Sequence, residues 1–225
     1  MKILAIETST EYCSVALWQD GGVSGRCELV GQKHSEVLLA MLDALLTDAG
    51  IKIKQIEGIA FGKGPGSFTG VRIACGVAQG LALGADVGVV GVCTLQALAE
   101  ASGKDKVIAA LDARMGELYL AAYEQRNGVW IEVIAPCLCR ADAAPNVTGE
   151  GWFGVGSGFA VGGEALQARY AKQLCGMDAQ AVPQAAAVVR LAAGEFVQGN
   201  SVDAALALPL YLRDKVALKT SERTA

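Results

Sequence analysis

The chain has 225 residues, of which 52% are hydrophobic, and 19 Lys+Arg stand against 23 Asp+Glu for a net charge of -4; the mean hydropathy is +0.37. That much apolar material over that length makes one large or two small globular domains and excludes a disordered chain. The acidic balance excludes a strong electrostatic grip on a polyanion by this chain alone, so any nucleic acid is expected to be held through a partner. The first residues offer one lysine and then Glu7 after four apolar residues, which is no signal peptide. Charged or amide residues (Asp43, Arg72, Gln79, Asp86) interrupt each candidate span, so a cytoplasmic protein without membrane contact is expected. The seven cysteines (13, 27, 75, 93, 137, 139 and 175) include no Cys-x-x-Cys pair and read as reduced core residues, with Cys137 and Cys139 on one strand face.

In chain order, Lys2 to Glu7 is a buried strand that ends in an acid. Cys13 to Trp18 is a second strand, and Asp20-Gly-Gly22 turns into a third. A helix over about 34–49, a strand over 56–61, a helix over 67–83, a strand over 87–92 and a short helix from 94 follow. The opening pattern then returns. Val107 to Asp112 is a strand, 113–117 a turn, Leu118 to Tyr123 a strand, and Asn127-Gly128 turns into Val129 to Ile134. Ile3 and Ile108, Glu7 and Asp112, and Trp18 and Tyr123 are each 105 residues apart. A thinner remainder follows, with a strand over Trp152 to Val155, helices near 163–172 and 184–198, and a strand around Leu208 to Leu212.

Three antiparallel strands followed by alternating helix and strand make the ribonuclease H-like topology. Two tandem copies resemble the actin, Hsp70 and sugar-kinase superfamily, as an α/β protein with lobes at 1–105 and 106–225, the second reduced. In that superfamily nucleotide lies between the lobes, with acid-bearing first hairpins of both lobes facing the phosphates. Glu7, Thr8, Ser9 and Asp112 occupy those turns.

The segment Gly62-Lys-Gly-Pro-Gly-Ser-Phe-Thr-Gly-Val-Arg72 is a glycine-rich strand-to-helix turn in which Ser67 is placed to cap the helix. Such a turn aims amide groups and a positive helix end at one spot, so Gly64, Gly66 and Ser67 join the candidate anion contacts. It is no Walker A loop, because Phe68-Thr69-Gly70 replaces the required Gly-Lys-Ser/Thr. A plain tight turn that sets the helix, with Arg72 in the same role, is the simpler reading.

Both long helices lack a broad polar face. At about 100° per residue, Glu36, Ala40, Asp43 and Thr47 form one narrow stripe on the first, and Thr69, Arg72, Gly76 and Gln79 one on the second. The side opposite carries Gly70, Ala74, Ala78 and Ala82 at spacing four, which lets a neighbouring helix come close. The expectation is an apolar partner interface built from Leu38, Leu42 and Leu45 on the first helix and Val71, Ala74 and Ala78 on the second.

Met1 to Thr10, His34-Ser-Glu36, Gly64 to Ile73, Gly91 to Leu98, Asp112-Ala-Arg114 with Gly116-Glu117, and Pro209 to Arg213 with Val216-Ala217 together resemble the TsaB family, formerly YeaZ, in order along the whole chain. The resemblance implies a bacterial subunit of the machinery that forms threonylcarbamoyladenosine beside the anticodon of ANN-decoding tRNAs. In that family the paralogue TsaD carries out the transfer, TsaE is the ATPase, and TsaC-type enzymes make threonylcarbamoyl-AMP. It implies a scaffold without catalysis of its own, paired with TsaD or with a second copy as a homodimer, reaching tRNA through the complex. No cofactor is held tightly by this chain alone, with ATP or ADP belonging at the complex interface. The catalytic relatives carry Gly-Val-Asn-His-Met-Glu-Gly-His, whose histidines hold a metal; laid on Gly91 to Leu98, those positions fall on Thr94 and Leu98, so no metal site is expected. The chain's one histidine, His34, starts a helix and reads as a cap or packing residue. Two enzyme readings compete: a small ATPase or sugar kinase, opposed by the first turn's missing glycine, and an M22-type metallopeptidase, opposed by Thr94 and Leu98.

Overall fold

The computed structural model describes residues 1–213; Val216 and Ala217 of the closing motif lie outside the described residues. The first sheet contains β1 (Lys2–Glu7), β2 (Tyr12–Gln19), β3 (Gly22–Leu29), β4 (Gly58–Gly64) and β5 (Val89–Cys93), in the order β3-β2-β1-β4-β5. The second contains β6 (Lys106–Asp112), β7 (Glu117–Arg126), β8 (Val129–Arg140), β9 (Trp152–Val155) and β10 (Leu174–Asp178), in the order β8-β7-β6-β9-β10. Each first strand runs antiparallel to the second and parallel to the fourth. The two sheets therefore share one topology, the ribonuclease H-like α/β arrangement of the actin, Hsp70 and sugar-kinase superfamily. The second copy is the thinner one: its crossover helices are α4 (Gly158–Val161) and α5 (Gly163–Arg169), against α1 (His34–Asp48) and α2 (Phe68–Ala85) in the first.

Leu4, Ile6, Val15, Leu17 and Ile59 face α1 and α2, while Ile3, Ala5, Ala16 and Ala60 face α6 (Ala185–Val197). A central strand buried on both faces explains the uninterrupted apolar run Ile3 to Ile6. The helix over 185–197, counted with the second copy on sequence order, thus packs on the first sheet. Conversely α3 (Thr94–Ala101) places Leu95 and Leu98 against Val107, Ala109 and Leu111 of the second sheet. The lobes exchange their last helices, and α3 meets α6 between them.

Two strand expectations change. The segment over 208–212 forms no strand; it runs as a strap joined to β4 by the Leu210 amide donating to the Lys63 carbonyl at 2.6 Å. β10 is an additional strand, and β8 extends to Arg140, carrying Cys137 and Cys139 on the face that packs with Ile108 and Leu120. Burial pushes the Cys139 thiol up to about 12.

Candidate functional site

Glu7 closes β1 inside the fold, with its side chain buried. Gly62 of β4 lies beside it, and a Cβ there would overlap the Glu7 carboxylate, so the sequence leaves the place of a side chain to the acid. The Ser9 amide donates to Oε1 at 2.6 Å, and the Thr94 hydroxyl lies 3.5 Å from Oε2. Desolvation outweighs these hydrogen bonds and raises the carboxyl above the ordinary glutamate range. The result is an acid integrated into packing. Ser9 Oγ, beside it, is buried without a hydrogen-bond partner.

The glycine-rich turn uses its polar groups on this first hairpin. The Ser67 amide donates to the Ser9 carbonyl at 2.7 Å, the Ser67 hydroxyl accepts from the Gly70 amide at 3.3 Å, and the Thr8 hydroxyl donates to the Gly70 carbonyl at 2.7 Å. A Cβ at Gly66 would stand 2.5 Å from the Ser9 carbonyl, and one at Gly70 would collide with that of Thr8. Thr8, Ser9, Gly66 and Ser67 therefore come together as a clasp that seats α2, and Gly64 is buried against Val71 beneath the strap.

Asp112 is not drawn into this cluster. Its amide donates to Ser157 Oγ at 3.1 Å, and its carboxylate accepts from the Arg114 amide at 2.8 Å and faces the Arg114 guanidinium at 2.9 Å. The pairing explains why. Ile3 pairs with Trp18, but Ile108 pairs with Ala122 rather than with Tyr123, so the second hairpin is slipped by one residue relative to the first. A one-residue slip exchanges the faces of a strand. Glu7 consequently shares the face of Ile3 and Ala5, toward the inner helices, whereas Asp112 shares that of Ile108 and Ala110, toward α4.

Arg72 and the closing motif form a cluster that the sequence-derived site residues do not include. The Arg72 guanidinium lies 3.7 Å from the Phe68 ring centroid, and its Nε donates to the Tyr211 hydroxyl at 2.7 Å. Two residues on, Arg213 meets Glu117 at 2.6 Å and donates to the Ala113 carbonyl at 3.1 Å. The strap thus holds α2 of the first lobe and the first turn of the second. The sequence signal was available in Pro209-Leu-Tyr-Leu-Arg213, an aromatic and an arginine at alternate positions.

The six residues expected at a partner interface are corrected. Leu38, Leu42, Leu45, Val71, Ala74 and Ala78 are all buried, and all but Val71 belong to the core cluster between these helices and the first sheet. The small residues bring α2 close to the chain's own backbone, as the Gly70 contact with Thr8 shows. The surface that the two helices present is the other side. Leu39 is 59% exposed and Leu83 79%, and Gly76, Gly80 and Gly84 have open space where a side chain would stand.

His34 is buried at the start of α1, its Nε2 3.1 Å from the Tyr12 carbonyl. Thr94 and Leu98 are buried completely. Among the described residues no three His, Cys, Asp or Glu side chains converge on a metal-sized site.

The sequence model of the TsaD family, described as tRNA N6-adenosine threonylcarbamoyltransferase, matches residues 13–220. The tRNA threonylcarbamoyladenosine biosynthesis protein TsaB of Escherichia coli strain K12 is 40% identical over 97% of both chains, and that of Haemophilus influenzae is 37% identical over 97% of this chain and 96% of its own. A solved structure of YeaZ from Pseudomonas aeruginosa superposes with a TM-score of 0.85 at 35% identity, covering 94% of this chain and 99% of that one. With a transferase-paralogue model over most of its length and full-length relatives at these identities, the chain belongs to the TsaB (YeaZ) family.

Proposed function

We propose that this chain is a scaffold subunit, without catalysis of its own, in the formation of threonylcarbamoyladenosine on ANN-decoding tRNA in the bacterial cytoplasm, where it pairs with TsaD and supports it. The pathway comes from the near full-length relatives named for it. The observation that carries the non-catalytic role is the burial of Thr94 and Leu98, the positions that correspond to the metal-holding histidines of catalytic relatives. Thr94 turns its hydroxyl to Glu7 and Leu98 fills the core of the second sheet, so neither position has room for an imidazole with a metal beside it.

Partner choice rests on the exposed side of α1 and α2. Glycines at 76, 80 and 84, four apart, leave a groove that another helix can enter closely; Leu83 supplies apolar contact beside it, and Leu39 is an exposed apolar side chain on α1. A paralogue with the same fold has helices of matching geometry to lay there, and a second copy of this chain has the same, which makes the homodimer an alternative use of one surface. TsaE, the nucleotide and the tRNA are reached through the assembled complex. The clasp around Glu7 engages the Thr8 hydroxyl, the Ser9 amide and carbonyl and the Ser67 amide and hydroxyl within the chain, which argues against a nucleotide being held by this chain alone.

Reconstitution tests the reading. The chain should be inert with ATP, threonylcarbamoyl-AMP or tRNA separately, and its addition to TsaD, TsaE and the TsaC-type enzyme should be required for modification of ANN-decoding tRNA. Modification at full rate without the chain, or ATP hydrolysis by the chain alone, would overturn it.

A further inference from the structure

The turn between β6 and β7 is built from residue types that its backbone does not favour. Arg114, Met115 and Gly116 have φ of 63°, 57° and 73°, all in the left-handed region. The hairpin turns at Asp20-Gly21 and Asn127-Gly128 meet the same requirement with residue types that tolerate it. An arginine and a methionine do not, and residues held against their preference persist where surrounding contacts over-determine them. Here those contacts come from the strap. Arg213 donates to the Ala113 and Arg114 carbonyls at 3.1 and 3.4 Å and to Met115 Sδ at 3.3 Å, and it meets Glu117 at 2.6 Å.

Met115 is 62% exposed, against 42% for Met177 and 38% for Met1, while Met41 is buried. Its thioether is thus open to small solutes and is at the same time a member of the contacts that hold the strap to the second lobe. A chemical change at this sulfur acts on both.

We propose that Met115 is a peroxide-sensitive modification site whose oxidation to the sulfoxide releases the strap from the turn. A sulfur lone pair attacks the outer peroxide oxygen, the O–O bond breaks, and the proton of the attacked oxygen passes to the leaving one. Sulfur is oxidised, and the peroxide is reduced to water or an alcohol. The Arg213 guanidinium faces the negative charge that develops on the leaving oxygen, as a positioned cation does in a preorganised site. The product no longer fits. A sulfoxide oxygen needs about 2.7–2.9 Å to a charged N–H donor by itself, so it cannot lie within a sulfur-to-nitrogen contact of 3.3 Å. The guanidinium moves to the stronger acceptor and leaves the Ala113 and Arg114 carbonyls, and the turn loses what holds it left-handed. The site is independent of the scaffold role, since it uses neither the outer face of α1 and α2 nor the clasp.

The test treats the full chain with dilute hydrogen peroxide and follows each methionine by peptide mass spectrometry. Met115 should be oxidised about tenfold faster than Met177, and Arg213→Gln should remove most of that advantage. In the oxidised chain, hydrogen exchange at 113–117 and 208–212 should rise about tenfold, as expected for the loss of a hydrogen bond to a charged group, and methionine sulfoxide reductase should reverse it. Met115→Leu keeps the bulk without the sulfur, and its exchange should be the same before and after peroxide. Equal oxidation of Met115 and Met177, unaltered exchange with Met115 fully oxidised, or a peroxide response in Met115→Leu would overturn the proposal.

Discussion

Thr8 and Gly70 fasten the first hairpin to the second helix: the Thr8 hydroxyl donates to the Gly70 carbonyl at 2.7 Å, and the Thr8 carbonyl occupies the space in which a side chain at 70 would begin. Gly70→Ala therefore sets two effects against each other. Alanine favours a helix over glycine by about 1 kcal/mol, whereas forcing a methyl into a closed contact costs about 1–3 kcal/mol and displaces the helix. Because the obstacle is backbone, the steric effect wins. Urea denaturation should show a net loss of up to about 2 kcal/mol, and a more stable variant would mean that α2 is not fastened here.

Glu7 makes stability depend on pH in an unusual direction. Its folded carboxyl is raised above the ordinary value of 4.5 by burial, so the folded state holds the proton more tightly than the unfolded chain. That contribution is fully present below about 4.5 and is lost as pH rises through the folded value. Glu7→Gln keeps the shape and has no proton to lose. Denaturation at pH 5 and pH 8 should show a smaller fall for the variant than for the parent chain, and equal falls would mean that Glu7 is ionised in the fold.

The strap makes a kinetic prediction. Arg213 meets Glu117 and the Ala113 carbonyl with a side chain only 15% exposed, which places this pair well inside the range where ion pairs matter. Arg213→Ala should leave both sheets folded but increase hydrogen exchange at 113–117 and at 208–212. The second variant, Tyr211→Ala, should loosen 208–212 and α2's first turn but not 113–117, because among the described residues the Tyr211 side chain bonds Arg72 and stacks near Phe68. Exchange unaltered in both variants would show that the strap bears no load.

Most strands and the duplication were legible because they are written in periodicity. Ile3 to Ile6 must be buried on both faces, and the hairpin of Asn127-Gly128 repeats that of Asp20-Gly-Gly22. The equivalence of Glu7 and Asp112 was misleading, since spacing along the chain is blind to a one-residue slip in pairing, and that slip sends the two acids to opposite faces. β10 was hidden because Leu174 to Asp178 is short, contains glycine and is mostly exposed. The apolar alternation of Leu208, Leu210 and Leu212 is real, but it serves the wall of a cleft rather than a ladder. The faces of α1 and α2 were undecidable from composition. A helix apolar nearly all round does not say which side its own sheet will cover.

That last ambiguity yields a paired test on one helix. Ala78 is fully buried beneath α2, whereas Gly80, two residues on, has nothing within 4 Å of where a Cβ would be. Ala78→Glu places a carboxylate without a partner in the core, at a cost of several kcal/mol, a large part of the 5–15 kcal/mol that holds a typical domain together; largely unfolded protein is expected. Gly80→Glu adds the same charge to the open groove, where the better helix propensity of glutamate offsets part of any strain. The fold should survive with near-normal melting. On the proposed partner surface, however, the glutamate would be buried on assembly, and each 1.4 kcal/mol lowers affinity about tenfold. Light scattering and pull-down with TsaD should find Gly80→Glu folded, monomeric and unable to pair, and tRNA modification in the reconstituted mixture should fall with it. Normal pairing by folded Gly80→Glu would move the interface away from α1 and α2 altogether.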